Sequence, residues 1–362
     1  MYEAWLHAVD FNTDSLRPGT FGQQVATAAG TDTQVAIVGM DPRIADAVRQ
    51  YLYTHYYDHG NLKLCDLGNL RKQNVEFAIP VLRELYTSRI LPIIIGGSAA
   101  MAQAQYLAFS DLNREVGLGV IDSAVHLSSD RNSPLPGQYL DRAVHRDGPP
   151  PFHLAHIGDQ RHLSHPQLDA VFLQRHFERY PLGRSRAELA DLEPAIRDVD
   201  LCVLNICSVL AAEAPAQERV TPSGFTLQEA GQLAYYAGNS DRLSSFGLYG
   251  FAAASETGHQ HRVTAAAYAQ LIWYFLHGMS RRHADFPSST HGLVEYVVDS
   301  KAADRFTFWR SPRSNRWWIQ VPLDYHPGEE RNRLVSCSYA DYLATSQEGR
   351  VPDRLFHAFS RY

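Results

Sequence analysis

The chain has 362 residues, enough for one large α/β domain or two ordinary ones. Its 45% hydrophobic and 20% charged residues are those of a water-soluble globular protein. A formal net charge of −6 argues against general nucleic-acid binding, which needs a basic face.

The opening MYEAWLHAVDFNTD has no basic region followed by an apolar stretch, so it reads as neither a leader nor an anchor. The apolar runs stop well short of a membrane span. Cys65, Cys202, Cys207 and Cys337 lack CxxC spacing and are expected to be reduced thiols. The expectation is a cytoplasmic protein with no nucleic-acid partner and no membrane insertion. Along the chain, buried-looking strands alternate with helical segments. TQVAIVGM (33–40) precedes a helix marked by Asp41-Pro42, and LKLCDLG (62–68) precedes a helix over about 74–87. LPIIIGG (91–97) precedes a helix over about 99–109, and VGLGVID (116–122) is a further near-continuous apolar run. Residues 128–151, rich in Pro, Asp, Ser and Arg, read as an excursion off the core.

After it come a strand at 152–158, a helix at 184–198 and a strand at 199–206. On that last strand, continued by one residue, Cys202 and Cys207 would face opposite ways. A helix at 226–239, a strand at 244–253 and a helix at 263–278 complete the alternation. This pattern predicts a mostly parallel sheet with helices on both faces, a three-layer αβα architecture. Composition changes near residue 287. DRFTFWR and RWWIQVP flank the turn cluster Ser311-Pro312-Arg313-Ser314-Asn315, which predicts a hairpin. A short helix, a turn and a terminal aromatic segment follow. The division expected is an α/β domain over 1–286 and a small hairpin-containing C-terminal extension over 287–362.

In an open α/β sheet, ligands bind in loops at the carboxyl ends of the central strands. Those loops here carry GGSAA (96–100), DSAVH (122–126) and VLNICSVLAAEAPA (203–216). Their order and spacing resemble the ureohydrolases: arginases, agmatinases and formimidoylglutamases, whose strands end in GGDHS, DAHxD and SxDxDxxDPxxAPG. Ala99 stands where that family has a metal-binding His, and Ser98 replaces the preceding Asp. Asp122 keeps a ligand, Ala124 replaces a His, and His126 stands at an Asp. Asn205 and Cys207 occupy the places of two metal-binding Asp residues, with Pro215 in register. SGFTLQEA (223–230) resembles the helix start that follows the third motif, and residues 263–278 resemble the family's terminal helix. The loop before it, 253–259, is expected to lack the Glu that receives a guanidinium group. The tail resembles an extension found in formimidoylglutamase-like chains.

The resemblance implies an arginase-like fold, homo-oligomers, and in the family two Mn²⁺ ions that activate water against an amidine carbon. Of the six ligand positions only Asp122 remains the expected type. Alanine side chains cannot coordinate, Asn205 is neutral, and a Cys207 thiolate is soft and favours zinc over manganese. The expectation is therefore a catalytically inactive ureohydrolase-fold protein without cofactor, acting by binding or assembly with itself or a protein partner. The first alternative is a metal-dependent hydrolase of linear amidine C–N bonds. The second is a single Zn²⁺ on Asp122, His126 and Cys207, or a small-anion site on the amides at 96–99. Ser98 lacks the GxSxG elbow of a nucleophile. His153, His156, His162 and His165, and the pair His259 and His261 in one loop, match no zinc spacing. His126 near Asp122 reads as a structural pair.

The best binding surface predicted is the hairpin, where Trp309, Trp317 and Trp318 meet Arg310, Arg313 and Arg316. Adjacent strand residues face opposite ways. Trp317 and Trp318 therefore cannot both point inward without a bulge, and one is expected to face a partner or a second copy.

Overall fold

Strands covered on both faces must be apolar along their whole length, and the central strands of this chain are. The computed structural model describes residues 4–12, 15–58, 60, 62–112, 115–145, 150–252, 258–299, 305–321 and 334–361. Its first nine strands are Leu6–His7 (β1), Val35–Gly39 (β2), Leu64–Leu70 (β3), Leu91–Ile95 (β4), Gly117–Ile121 (β5), His153–Asp159 (β6), Glu178–Pro181 (β7), Leu201–Asn205 (β8) and Ser245–Tyr249 (β9). They form one sheet in the order β1-β3-β2-β4-β9-β8-β5-β6-β7. Every pairing is parallel except β1 with β3.

Strand alternation divides the core in two. Ile37, Ile93, Ile95, Phe246 and Leu248 pack with the helices Pro42–Leu52, Leu227–Gly238 and His259–Met279. Ala36, Val38, Ile94 and Tyr249 face the helices Val75–Thr87 and Ala102–Ser110 on the other side. This is the predicted three-layer αβα arrangement. Helix starts follow local chemistry: Asp41 accepts from the Arg43 amide with Pro42 in the first turn, and Thr226 and Glu229 form a reciprocal capping box. No helix among the described residues is long and apolar enough to cross a membrane.

Three local expectations need correction. The helix expected over 184–198 is broken into Leu182–Ala187, a 3₁₀ turn at Leu189–Leu192 and Glu193–Arg197, because Pro194 has no N–H to continue a ladder and fits only a first turn. Cys207 lies beyond β8, in the 3₁₀ turn Ile206–Ser208, so it does not share a strand with Cys202. The excursion after residue 128 returns to the core, with Tyr139, Leu140, Ala143 and Val144 buried. All four cysteines are free and buried.

The tail forms a second sheet of Val294–Asp299 (β10), Arg305–Arg310 (β11), Trp317–Gln320 (β12) and Leu334–Cys337 (β13), antiparallel in chain order. The predicted hairpin is β11 and β12; β10 and β13 were not anticipated. Both tryptophans are buried, and the β11–β12 register is unbroken. Trp317 packs with Tyr342 and Tyr339 on the outer face of the sheet. Trp318 points the other way, against Phe286 and the Arg197 guanidinium 4.5 Å from its ring. Covering both faces removes the need for a bulge.

Arg197 is the fastener between the two sheets. It is buried, donates to the Trp317 carbonyl at 3.2 Å and the Cys337 carbonyl at 3.3 Å, and pairs with Glu193 at 3.0 Å. The next residue, Asp198, accepts from the Ser336 amide at 2.9 Å. Arg197→Ala removes the guanidinium from both carbonyls and from the Trp318 ring, and leaves Glu193 with Arg316 as its remaining cation. It is expected to cost roughly 3–5 kcal/mol, the range for breaking a buried charged network. Urea unfolding of the variant measures this, and a loss under about 1 kcal/mol, within the range of an exposed pair, would contradict the assigned role.

Candidate functional site

The sheet order places β4, β9, β8 and β5 side by side, so the loops after them meet at the centre of one edge. These loops carry Ala99, Asn205 with Cys207, and Asp122 with Ala124 and His126. The three motif loops therefore share one end of the sheet.

Asp122 is fully buried. Its Oδ1 accepts from the Ser123 amide at 2.7 Å, and its Oδ2 accepts from the Tyr139 hydroxyl and from Asn205 Nδ2, each at 2.8 Å. His126 Nε2 is 3.7 Å from the same Oδ2, and its ring stacks on Tyr139. The expected Asp122–His126 proximity is present, but the close partners of the carboxylate are Tyr139 and Asn205. Burial, reinforced by the Asp122 carboxylate, pushes the Tyr139 phenol well above its ordinary range. The phenol thus stays protonated and donates.

Asn205 works in both directions. Its Nδ2 donates to Asp122 while its Oδ1 accepts from the Cys207 amide at 3.0 Å, capping the turn. Gly250 makes room for this: at φ +81 it already occupies a backbone region that favours glycine, and a Cβ there would lie 1.9 Å from Asn205 Oδ1. Cys207 Sγ has the Gly250 carbonyl as a weak partner at 3.8 Å. Burial, with Asp122 adding to it, pushes this thiol up to about 12.

Ala99 offers its amide, which donates to Glu218 Oε2 at 3.0 Å. The turn that could attract a free anion is thus met by a carboxylate of the same chain. Ser98 is a local cap whose Oγ accepts from the Ala100 amide at 3.3 Å. The double glycine has a packing reason: a Cβ on Gly96 would lie 2.3 Å from the buried Tyr249 ring and 2.6 Å from the Leu248 carbonyl. Ala124 contributes its carbonyl, 3.2 Å from His156 Nε2.

The remaining histidines are scattered. His153 sits 3.2 Å from Glu178, and His165 accepts from the Gln167 amide. His162 lies in the separate 3₁₀ turn Arg161–Leu163. His259 and His261 open the helix His259–Met279 rather than sharing a loop, and His261 is buried against Phe251. Among the described residues no group of three or more His, Cys, Asp or Glu side chains is placed to hold a metal. Residues 253–257 lie outside the described set; they include Glu256, so the expectation that the 253–259 loop lacks a Glu does not hold.

Comparison with solved structures now bears on this arrangement. The chain superimposes on a formiminoglutamase of Trypanosoma cruzi crystallised with Mn²⁺, with TM-score 0.61 and 16% identity over 72% of this chain and 99% of that one. A formimidoylglutamase of Bacillus subtilis matches with TM-score 0.60 and 13% identity over 76% and 95%. An agmatine ureohydrolase of Thermoplasma volcanium matches with TM-score 0.55 and 16% identity over 74% and 95%.

The chain has the ureohydrolase fold.

No family model and no curated protein sequence matches it. Within this ureohydrolase fold the donor set does not fit a Mn²⁺ pair. Hard cations need several carboxylate or imidazole donors, and here an amide N–H and a phenol O–H point at the one retained carboxylate. Sequence reasoning missed Tyr139, Ser123 and Glu218. Tyr139 lies in the 128–151 stretch, where no motif marks it. The one available hint was the Asn at position 205, whose amide could serve as a donor to a retained Asp.

The interface expected on the tail is largely spent inside the chain. Trp317, Trp318 and Arg316 are buried or nearly so, and Arg316 binds Glu193 at 3.1 Å and the Asn239 carbonyl at 2.9 Å. Trp309 donates to Gln320, Arg310 to Asn315, and Arg313 pairs with Asp285 at 3.2 Å.

Tyr139→Phe deletes one donor to Asp122 without changing the ring. It is expected to destabilise the fold by about 1–3 kcal/mol, the cost of leaving a buried acceptor short of a partner. Denaturant unfolding checks this; an unchanged midpoint would mean Asp122 does not depend on the phenol.

Proposed function

We propose that this chain is a ureohydrolase-fold protein that does not carry out dinuclear metal hydrolysis and works by binding or assembly. The observation that supports the reading is the satisfaction of Asp122 by Ser123, Tyr139 and Asn205, which fills with neutral donors the place where a cation would otherwise compensate the charge. The replaced ligand positions, Ala99, Ala124, Asn205 and Cys207, point the same way, since two have no donor side chain. In this reading residues 1–286 form the ureohydrolase-like unit and residues 287–362 form an extension that braces it through Arg197 and Asp198. Hydrolysis of a linear amidine, the alternative, has the likeness of fold in its favour, and fold alone does not convey function. A mononuclear zinc site is disfavoured because Asn205 bonds to both Asp122 and the Cys207 backbone, and because the Cys207 thiol is buried in its protonated form.

The test is metal analysis of the full chain after incubation with excess Mn²⁺ or Zn²⁺ and exhaustive buffer exchange. Hydrolysis of N-formimino-L-glutamate, agmatine and arginine is assayed alongside. The expected result is substoichiometric metal, an unfolding temperature indifferent to EDTA, and no turnover. Two firmly held Mn²⁺ ions per chain with metal-dependent turnover would sink the proposal. One Zn²⁺ lost in Cys207→Ala would replace it with a mononuclear site.

A further inference from the structure

At the opposite edge of the large sheet, where its strands begin, the chain leaves a cleft of about 430 Å³. The lining comes from the residues just before β2, β3, β4 and β9, together with the ends of three helices. Thr33, Gln34 and Ser244 supply neutral polar groups. Arg89 and Arg282 supply two guanidinium groups, and no acidic side chain lines the space.

The two arginines are held differently. Arg282 donates through Nε to the Gly238 carbonyl at 2.8 Å and through a terminal nitrogen to the Leu243 carbonyl at 3.3 Å. Its partners are thus neutral. Burial pushes its guanidinium down to about 10, an effect that Asp241 partly offsets and Arg316 increases. Arg282 is half-buried, and among the described residues its guanidinium makes no ion pair, so no carboxylate matches it at close range. Arg89 is exposed and forms no ion pair among the described residues. It takes φ +58, a conformation in which a long side chain is uncommon. A glycine there would relieve the strain and delete the charge, yet an arginine occupies the position. The rest of the wall is apolar and aromatic: Tyr86, Ile90, Leu91 and Phe109, with Leu62 and Met279.

We propose that this cleft binds a small organic anion, its carboxylate or phosphate group engaged by Arg89 and Arg282 and its aromatic or aliphatic body lying on Tyr86, Ile90 and Leu91. Guanidinium groups suit planar or tetrahedral oxyanions because their N–H groups can donate in pairs. The apolar wall gives affinity that a bare ion cannot obtain. This site is separate from the Asp122 loops and does not depend on whether those loops hold a metal.

The experiment is calorimetric titration of the full chain with phenyl phosphate, phenylacetate, inorganic phosphate and benzyl alcohol. Either or both aromatic anions are expected to bind saturably at one site per chain, and which of them does so identifies the head group as phosphate or carboxylate. Inorganic phosphate is expected to bind at least about tenfold more weakly, a factor worth about 1.4 kcal/mol of lost apolar contact. Arg89→Gly should weaken the aromatic anion at least about tenfold while leaving thermal stability equal or higher, because the positive φ suits glycine. Arg282→Gln, which keeps a donor for a nearby carbonyl, should weaken it as well. The proposal is overturned if neither aromatic anion saturates, or if Arg89→Gly binds as the parent chain does. Equal affinity for inorganic phosphate would remove the apolar half of the site, and equal affinity for benzyl alcohol would remove the charged half.

Discussion

A carboxylate sealed inside a protein has to be compensated where it stands, and Asp122 sets that requirement at the centre of this fold. Water does not reach it, so its oxygens take donors from three separate stretches: its own loop through Ser123, the returning excursion through Tyr139, and β8 through Asn205. Each donor then constrains its own neighbourhood. Tyr139 draws residues 138–145 onto the sheet edge, where Leu140 donates its amide to the His126 carbonyl. Asn205 caps the turn at Cys207 and requires a residue without a side chain at position 250. One buried charge thereby specifies the conformation of several loops that a ligand would otherwise organise.

The same economy operates at the neighbouring helix start. Backbone N–H groups left over at the first turn attract negative charge, and Glu218 supplies it to Ala99 from a distant loop. The edge of the sheet that usually receives ligands is occupied by internal partners at both its carboxylate and its amide. The opposite edge has a different balance: Arg89 and Arg282 line an open space that no acidic side chain lines. The two ends of one sheet thus differ: a carboxylate held by neutral donors at one, and two guanidinium groups beside an open cleft at the other.

Much of the architecture was legible in the sequence because its signals are local and repetitive. Continuous apolar runs such as Val35–Gly39 and Leu91–Ile95 identify doubly covered strands, and Asp41-Pro42 and Thr226 with Glu229 mark helix starts by their own hydrogen-bonding chemistry. The motif positions located the loops that meet at the candidate site, and the absence of ligand types at Ala99 and Ala124 was plain from residue identity. What stayed hidden depends on contacts between distant segments. Nothing in the composition of residues 128–151 announces that Tyr139 will reach Asp122, and no periodicity links Glu218 to Ala99. The tail misled for a related reason. Tryptophans and arginines on adjacent strand positions suit a surface for a partner equally well as a sheet buried on both faces, and only the position of Arg197 distinguishes the two.

The isosteric pairing at position 205 has a consequence for how such a chain can change. Asparagine and aspartate occupy nearly the same volume, so the pocket beside Gly250 would accept either without repacking. Their charges are not interchangeable: an aspartate there would set a second anion against Asp122 at contact distance, with Tyr139 alone left to separate them. An aspartate at position 205 is therefore tolerated only where a cation, or a proton on one of the two carboxylates, offsets the repulsion. The hydrogen-bonded network thus makes the choice between amide and carboxylate at position 205 a choice between a neutral and a charged loop cluster. A single side-chain atom, oxygen in place of nitrogen, separates the two conditions.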